Sequence, residues 1–307
     1  NVAVHASQFP ETVRRDLACS LRTRCVNHKF HYDSVKQAQK WLALHEAYAP
    51  SQTDPAGRAI YERCFEMIAT LCQDSPRLQV VGLGCGGGEK EARLLQLLRR
   101  RGRMLAYTPC DVSTALVLVA HQAAAGFVSP DRCQPLVCDL ATPADLSGLL
   151  ETTKLAQSPR IVTFFGMMPN FEPDTILPRR AGLLRRGDHL LLSANLAPGR
   201  NYAAGVEKIL PLYDNALTRD WLFTFLLDLG FKSSDGNLSI AIENCPSGGE
   251  LKRVEASFQF RRSRDIGIGN ERFRFKAGES IRLFFSYRHT PRQIRRLLAA
   301  QEISVLK

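Results

Sequence analysis

The chain has 307 residues, 45% of them hydrophobic, with 41 Lys and Arg against 30 Asp and Glu and a formal net charge of +11. That is enough chain for one large domain or two ordinary ones, and too apolar for a disordered protein. No apolar run reaches the roughly 18 residues of a membrane helix, and Asn1 to Pro10 lacks a basic start followed by an apolar core, so neither a membrane span nor a signal peptide is expected.

Near the N-terminus, Ser34–His45 reads as a helix, followed by a turn-rich stretch at residues 48–55. Between residues 77 and 196 short apolar runs alternate with helical stretches. Leu78–Leu83, Met104–Cys110, Gln134–Cys138, Ile161–Phe165 and His189–Ser193 read as strands. Glu89–Arg101, Ser113–Ala125, Pro143–Glu151 and Asp174–Leu184 read as the intervening helices, with Ser113 placed to cap the second. This alternation predicts a doubly wound α/β fold, a parallel sheet with helices on both faces. Tyr202–Asp214 and Arg219–Leu229 follow as helices. The pattern then becomes consecutive strands at Leu238–Glu243, Arg253–Arg261, Glu271–Phe275 and Ser280–Tyr287, with a last helix at Pro291–Gln301. Antiparallel strands after an α/β block predict a second, α+β substructure.

Nine cysteines, at positions 19, 25, 64, 72, 85, 110, 133, 138 and 245, include no C-x-x-C pair. They fit reduced thiols in a cytoplasmic protein, not a disulfide framework or a zinc site. His28 and His31 are three apart, but no acidic or Cys partners complete a metal set, so no metal is expected. The charge is uneven: residues 251–307 hold 14 Lys and Arg against 5 Asp and Glu. A basic end of this kind suits nucleic acid or an anionic ligand, or is an ordinary solvated face. No RNA-binding motif and no aromatic-interleaved Lys stripe is present, so the solvated reading is preferred. Arg282, Arg288 and Arg292 are expected to point outward.

The strongest local feature is Gly82-Leu83-Gly84-Cys85-Gly86-Gly87-Gly88-Glu89-Lys90, which follows the first strand of the α/β block and opens its first helix. Such a loop lets backbone approach a nucleotide-like cofactor at the carboxyl end of the sheet. As a G-x-G-x-x-G match it is weak and leaves a dinucleotide open. Asp111 ends the second strand and Asp139 the third. The first suits ribose hydroxyls, the second the exocyclic amine of adenine, and the pair favours S-adenosylmethionine (SAM) over NAD.

The segments Gly82–Leu95 and Tyr107–Ser113 resemble the SAM-dependent histidine-specific methyltransferases, a family that includes the ergothioneine-pathway enzyme acting on the α-amino group of histidine. His31-Tyr32-Asp33, Phe165-Gly166 with Asn170, and Leu212-Tyr213-Asp214 resemble further family segments in order. The resemblance implies that Gly84, Gly86, Lys90, Asp111, Asp139 and Leu140 hold SAM, with Tyr32 at its methionyl end and S-adenosylhomocysteine as product. It implies that Asn170 and Tyr213 face the substrate and serve catalysis, with Tyr48, Phe284 and Ser286 also lining its pocket. It further implies a SAM domain (60–200 plus 288–307) beside a substrate domain (1–59 plus 201–287).

The departures bear on the substrate. The family's acid before the first loop glycine is Gly82 here. Its Tyr-Tyr-Pro-Thr-Arg is Tyr48-Ala49-Pro50-Ser51-Gln52, and its imidazole-binding Glu-x-Ser is Phe284-Phe285-Ser286. Loss of these polar groups argues against histidine. On a strand, one of Phe284 and Phe285 must face away from the pocket. The expected function is methyl transfer from SAM to a small molecule. N-methylation of an amino-acid-like or aromatic metabolite comes first and O- or C-methylation next. An RNA methyltransferase and a SAM-binding partner without turnover remain as rivals. No dedicated base is visible, and His289 is only a weak candidate.

Overall fold

The computed structural model describes residues 1–142, 146–150, 157–246, 248 and 250–306. The first strand, β1 (Ala3–Val4), is followed by α1 (Pro10–Thr23), α2 (Val35–Tyr48), the single turn α3 (Pro50–Thr53) and α4 (Pro55–Leu71). Three of these start where local chemistry fixes them. Pro10 and Pro55 occupy first-turn positions, where the missing N–H costs nothing, and Asp54 caps α4 by accepting from Ala56 and Gly57. Ser34 and Gln37 cap α2 reciprocally. The sequence pattern anticipated α2 and missed β1, α1 and α4.

The α/β block runs β2 (Arg77–Leu83), α5 (Glu89–Arg100), β3 (Met104–Asp111), α6 (Thr114–Ala124), β4 (Leu136–Val137), α7 (Ser147–Leu150), β5 (Arg160–Phe165), α8 (Pro173–Ala181) and β6 (His189–Ser193). The helix expected over Pro143–Glu151 lies partly outside the described residues. The six strands form one wholly parallel sheet in the order β1-β4-β3-β2-β5-β6. One face is covered by α4, α5 and the end of α6 through Phe65, Ile68, Leu94, Leu98 and Ala124. The other is covered by α8 and the last helix through Ile176, Leu177 and Leu298. This is the doubly wound, Rossmann-like α/β fold, with β1 adding an N-terminal edge strand.

Beyond it come α9 (Tyr202–Lys208), α10 (Ala216–Asp228), β7 (Gly236–Asn244), β8 (Lys252–Phe260), β9 (Arg264–Ile268), β10 (Glu271–Phe275), β11 (Ser280–Arg288) and α11 (Pro291–Ala299). Strands β7, β8 and β11 form an antiparallel sheet with β8 central, and β9 and β10 form a separate hairpin. The hairpin turns on Gly269-Asn270, with Gly269 at φ +58, a two-residue connection that suits twisted strands. Strand β9 was not foreseen. Its Arg-Asp-Ile-Gly-Ile sequence carries too little apolar alternation. A third core joins this region to the N-terminal segment: Leu21 and Phe30 pack with Trp221, Phe225, Phe258 and Phe284. A register shift between Arg282 and Phe284 marks a bulge in β11. Beyond it Phe284 faces this core, while Phe285 packs on the other side with Cys245 and Tyr287.

Among the described residues no helix is long and apolar enough to cross a membrane, and none of the nine cysteines is joined in a disulfide.

Two histidines are enclosed almost completely. Burial lowers His31 to about 4, opposed by its bond to the Leu283 carbonyl, and burial with the adjacent Arg288 charge lowers His289 to about 4. Both are neutral when folded and protonate on unfolding below about pH 6.5. Their contribution is therefore complete above that pH and is lost as the pH falls toward 4. Each adds a slope of about 1.4 kcal/mol per pH unit in that window. Urea unfolding between about pH 7.5 and about pH 5 should show stability falling with acid. His289→Phe should reduce the slope, whereas an unchanged slope in that variant would mean the imidazole titrates normally in the fold.

Candidate functional site

The glycine loop joins β2 to α5 at the carboxyl edge of the sheet. Gly84 and Gly86 have φ of +66 and +54, a region that side chains with a Cβ rarely adopt. A Cβ on Gly84 would stand 2.6 Å from Met167, and one on Gly86 2.7 Å from the Trp41 ring. The loop is fastened by its own amides. Gly84 and Cys85 N–H both donate to the Cys110 carbonyl at 2.8 and 3.0 Å. Gly86 N–H donates to Asp111 Oδ2 at 3.0 Å, while Ser113 N–H donates to Oδ1 at 3.0 Å. Asp111 is thus at the loop, as expected. Burial raises its carboxyl, opposed by the amides of Ser113, Gly86 and Val112.

Tyr32 stands beside it. Burial, with the Asp111 charge, pushes its phenol well above the usual range, and its ring packs on Trp41 and Trp221 at 5.9 and 5.4 Å. Lys90, in the first turn of α5, lies 3.4 Å from His45 Nε2 of α2, and burial lowers it. These residues surround one loop although α2 and α5 are distant in sequence. Asp139 follows β4, with Oδ1 accepting from Ala141 N–H at 2.7 Å and Oδ2 lying 3.9 Å from Lys29 Nζ. Lys29 is itself buried, donating to Asp16 at 2.6 Å and to the Ser7 carbonyl, while Asp139 N–H donates to Ser7 Oγ. The N-terminal segment therefore clamps Asp139, a link of more than a hundred residues that sequence reading missed. Leu140 points into the core of the sheet, so any contact it makes with a cofactor is through its backbone.

The missing acid at Gly82 has a structural counterpart. A Cβ there would be 3.2 Å from the Tyr107 hydroxyl and 3.4 Å from Glu91 Cγ. Glu91, on α5, is buried and accepts from Thr163 Oγ1 at 2.7 Å; burial raises its carboxyl. Its position two residues into a helix, flanked by charged neighbours, hid it from sequence analysis.

Of the residues expected to line the substrate pocket, Tyr213, Phe284 and Ser286 meet at β11. Phe284 stacks near-parallel on Tyr213, with centroids 6.2 Å apart at 29°. The Tyr213 hydroxyl lies 3.4 Å from Ser286 Oγ. The Arg288 guanidinium lies over the Tyr213 ring at 4.7 Å. Phe284, Ser286 and Arg288 alternate along one strand and so present to one side, as period-two geometry requires. Arg288 is 1% exposed, which overturns its expected outward direction; Arg292 does face out. Asn170 ends a single turn of 3-10 helix (Met168–Asn170) that packs against β11. Tyr48 closes α2, half-buried, and among the described residues no ring contact or hydrogen bond joins it to this cluster. His289 neighbours Tyr287, not Tyr213.

A doubly wound parallel sheet with a glycine loop after β2 and carboxylates after β3 and β4 is the architecture of a Rossmann-like SAM-dependent methyltransferase. The residues present fit that cofactor in kind: a positive-φ glycine loop at the carboxyl edge of the sheet, the Asp111 carboxylate bonded at its tip, and Lys90 in the first turn of the helix that follows. A family described as histidine-specific, SAM-dependent methyltransferases matches residues 13–216, and the chain belongs to that family. No curated protein matches the chain. Among solved structures it is similar to the CMeT domain of the citrinin polyketide synthase (18% identity, 69% of this chain and 54% of that one, TM-score 0.41), so it spans about half of that relative's length. It is also similar to magnesium protoporphyrin IX methyltransferase from Synechocystis PCC 6803, determined with S-adenosylhomocysteine (17%, 84% and 96%, 0.36). A third is a SAM-dependent methyltransferase from Thiobacillus denitrificans in complex with the same product (14%, 69% and 75%, 0.37).

Gly86→Ala places a Cβ on a left-handed backbone and against Trp41. It should cost about 1–2 kcal/mol of stability from the backbone alone and abolish SAM binding measured by calorimetry. Retention of wild-type affinity would show that the loop tolerates the side chain.

Proposed function

We propose that the enzyme N-methylates a small amino-acid-like or aromatic metabolite other than histidine. The observation that carries this reading is the Phe284–Tyr213 stack. Where the resemblance puts a carboxylate for an imidazole, this chain has a ring lying near-parallel to a second ring. Two stacked rings favour a flat, weakly polar group, and nothing at position 284 accepts an imidazole N–H. Residues 60–200 and 288–307 would then form the SAM side and 201–287 with much of 1–59 the substrate side, except that Ala3–Val4 is the edge strand of the SAM-side sheet and Ser7 and Lys29 reach Asp139. The separate core of Leu21, Trp221, Phe258 and Phe284 supports that division.

In this reading Gly84, Gly86, Lys90, Asp111, Asp139 and the Leu140 backbone hold SAM, with Tyr32 at its methionyl end. SAM supplies a methyl group already activated by its sulfonium, so the protein must align an acceptor and exclude water. The acceptor amine must be neutral. The paired hydroxyls of Tyr213 and Ser286 would accept a hydrogen bond from the amine N–H, the proton itself leaving to solvent water, and Asn170 would contribute from the turn after β5 that packs on β11. Tyr48, at the end of α2, is given a pocket role by the resemblance alone.

Incubation with SAM and a panel of amines should yield S-adenosylhomocysteine, with histidine a poor acceptor. Preferential turnover of histidine overturns the substrate assignment, and turnover confined to hydroxyl acceptors makes the enzyme an O-methyltransferase. Tyr213→Phe should lower kcat about 100-fold while leaving SAM affinity unchanged.

A further inference from the structure

Three arginines are almost fully enclosed: Arg160 (2% exposed), Arg253 (4%) and Arg288 (1%). The fold supplies acids to two of them. Arg160 pairs with Asp188 at 2.6 Å, and Arg253 pairs with Glu255. Among the described residues Arg288 has no acidic partner. Burying a guanidinium without a counter-charge is strongly unfavourable, and proteins retain such groups where a partner arrives from outside. Desolvation lowers its pKa to about 10, with only Tyr202 acting in the other direction.

The geometry shows which part of Arg288 is free. Nη1 donates to the Asn195 carbonyl at 2.8 Å, and the backbone is held by Tyr202, whose hydroxyl donates to the Arg288 carbonyl at 2.7 Å. The Tyr213 ring lies against the guanidinium. Nη2 has only a long contact of 3.5 Å to Ser286 Oγ, and Nε has no partner. Nε and Nη2 form the side-on edge of the fork, the pair of parallel donors that matches the two oxygens of a carboxylate. That edge belongs to the strand face that carries Phe284 and Ser286.

We propose that Arg288 is the specificity residue for a carboxylate on the methyl acceptor, held side-on through Nε and Nη2 with the acceptor's apolar body against Phe284 and Tyr213. The proposal rests on the reading of this cluster as the substrate pocket. A single guanidinium lying against the Tyr213 ring matches one negative charge, and a phosphate dianion would be only half neutralised by it. The +11 charge of the chain thus has one member turned inward for recognition.

The test uses the wild-type protein saturated with S-adenosylhomocysteine and matched pairs of acids and primary amides: phenylacetate and phenylacetamide, phenylalanine and its amide, tryptophan and its amide, with phenyl phosphate as a further arm. Calorimetry should show at least one acid binding about 10-fold or more tightly than its amide, as a charge-assisted bidentate contact provides. Arg288→Gln should erase that preference while S-adenosylhomocysteine still binds, and Arg288→Lys should keep only part of it. Equal binding of acids and amides, a preference that survives in Arg288→Gln, or stronger binding of phenyl phosphate overturns the proposal. If Arg288→Gln does not fold, the wild-type comparison and Arg288→Lys decide it. Failure of the wild-type protein to bind S-adenosylhomocysteine is a different result, and it removes the methyltransferase reading itself.

Discussion

The carboxylate of Asp111 is the joint on which the cofactor side depends. One oxygen takes the Gly86 amide, the other the Ser113 amide, so a single side chain fixes the tip of the glycine loop and the entry to α6 relative to the end of β3. The competition is balanced: burial favours the protonated acid, while the backbone donors favour the anion. Without the carboxylate, the buried Gly86 N–H would lack its acceptor, at a cost of about 1–3 kcal/mol. The loop must also follow positive φ at Gly84 and Gly86 with Met167 and Trp41 directly over it. Sequence supplies glycines, but the acid after β3 determines where they stand.

The α/β block was legible because each strand is a short apolar run bounded by turn residues, and each boundary came within a few residues of the structure. The failures have physical causes. Helix α4 opens on Pro55-Ala56-Gly57, residues that read as a continued turn, and its stability comes from Phe65, Ile68 and Ala69 packing on the sheet. Helix α1 opens on Pro10 and mixes charges with its apolar face, which shows its meaning only beside α10 and the antiparallel strands. Strand β1 has two residues and no periodicity; it exists because β4 offers an unpaired edge. The Lys29–Asp16–Asp139 cluster joins three parts of the chain, so only the fold could reveal it.

Of the residues expected on the substrate side, Tyr213, Phe284 and Ser286 do come together at β11, while the direction of Arg288 was misread. Phe284, Ser286 and Arg288 alternate, so a strand reading already puts them on one face, and Phe285 falls on the other. What misled was the average. A segment rich in exposed basic residues invites the inference that each one is solvated. Burial depends on what packs around each residue: Arg288 ends a strand covered on both faces, whereas Arg292, four positions on, stands exposed in the first turn of α11. Solvated surface arginines contribute little specificity, whereas an enclosed one without an acid must find its partner in a ligand or remain an unfavourable charge.

The two acids that the family resemblance leads one to expect, at positions 82 and 284, meet different fates. At Gly82 the space is retained and filled from elsewhere: Glu91 reaches the same spot from α5, held by Thr163, with the Tyr107 hydroxyl beside it. A carboxyl group thus stands close to the position although it comes from another part of the chain, and burial raises its pKa. At Phe284 nothing acidic takes over. The ring stacks on Tyr213, and the nearest strong charge on that face is the cation of Arg288. On the proposed reading, an acid beside the cofactor loop and a cation in place of an acid beside the acceptor are what a retained cofactor and a changed substrate would leave. Discrimination then follows from unpaired groups: a cationic or neutral head leaves the guanidinium edge desolvated without a partner, while an anionic head satisfies it.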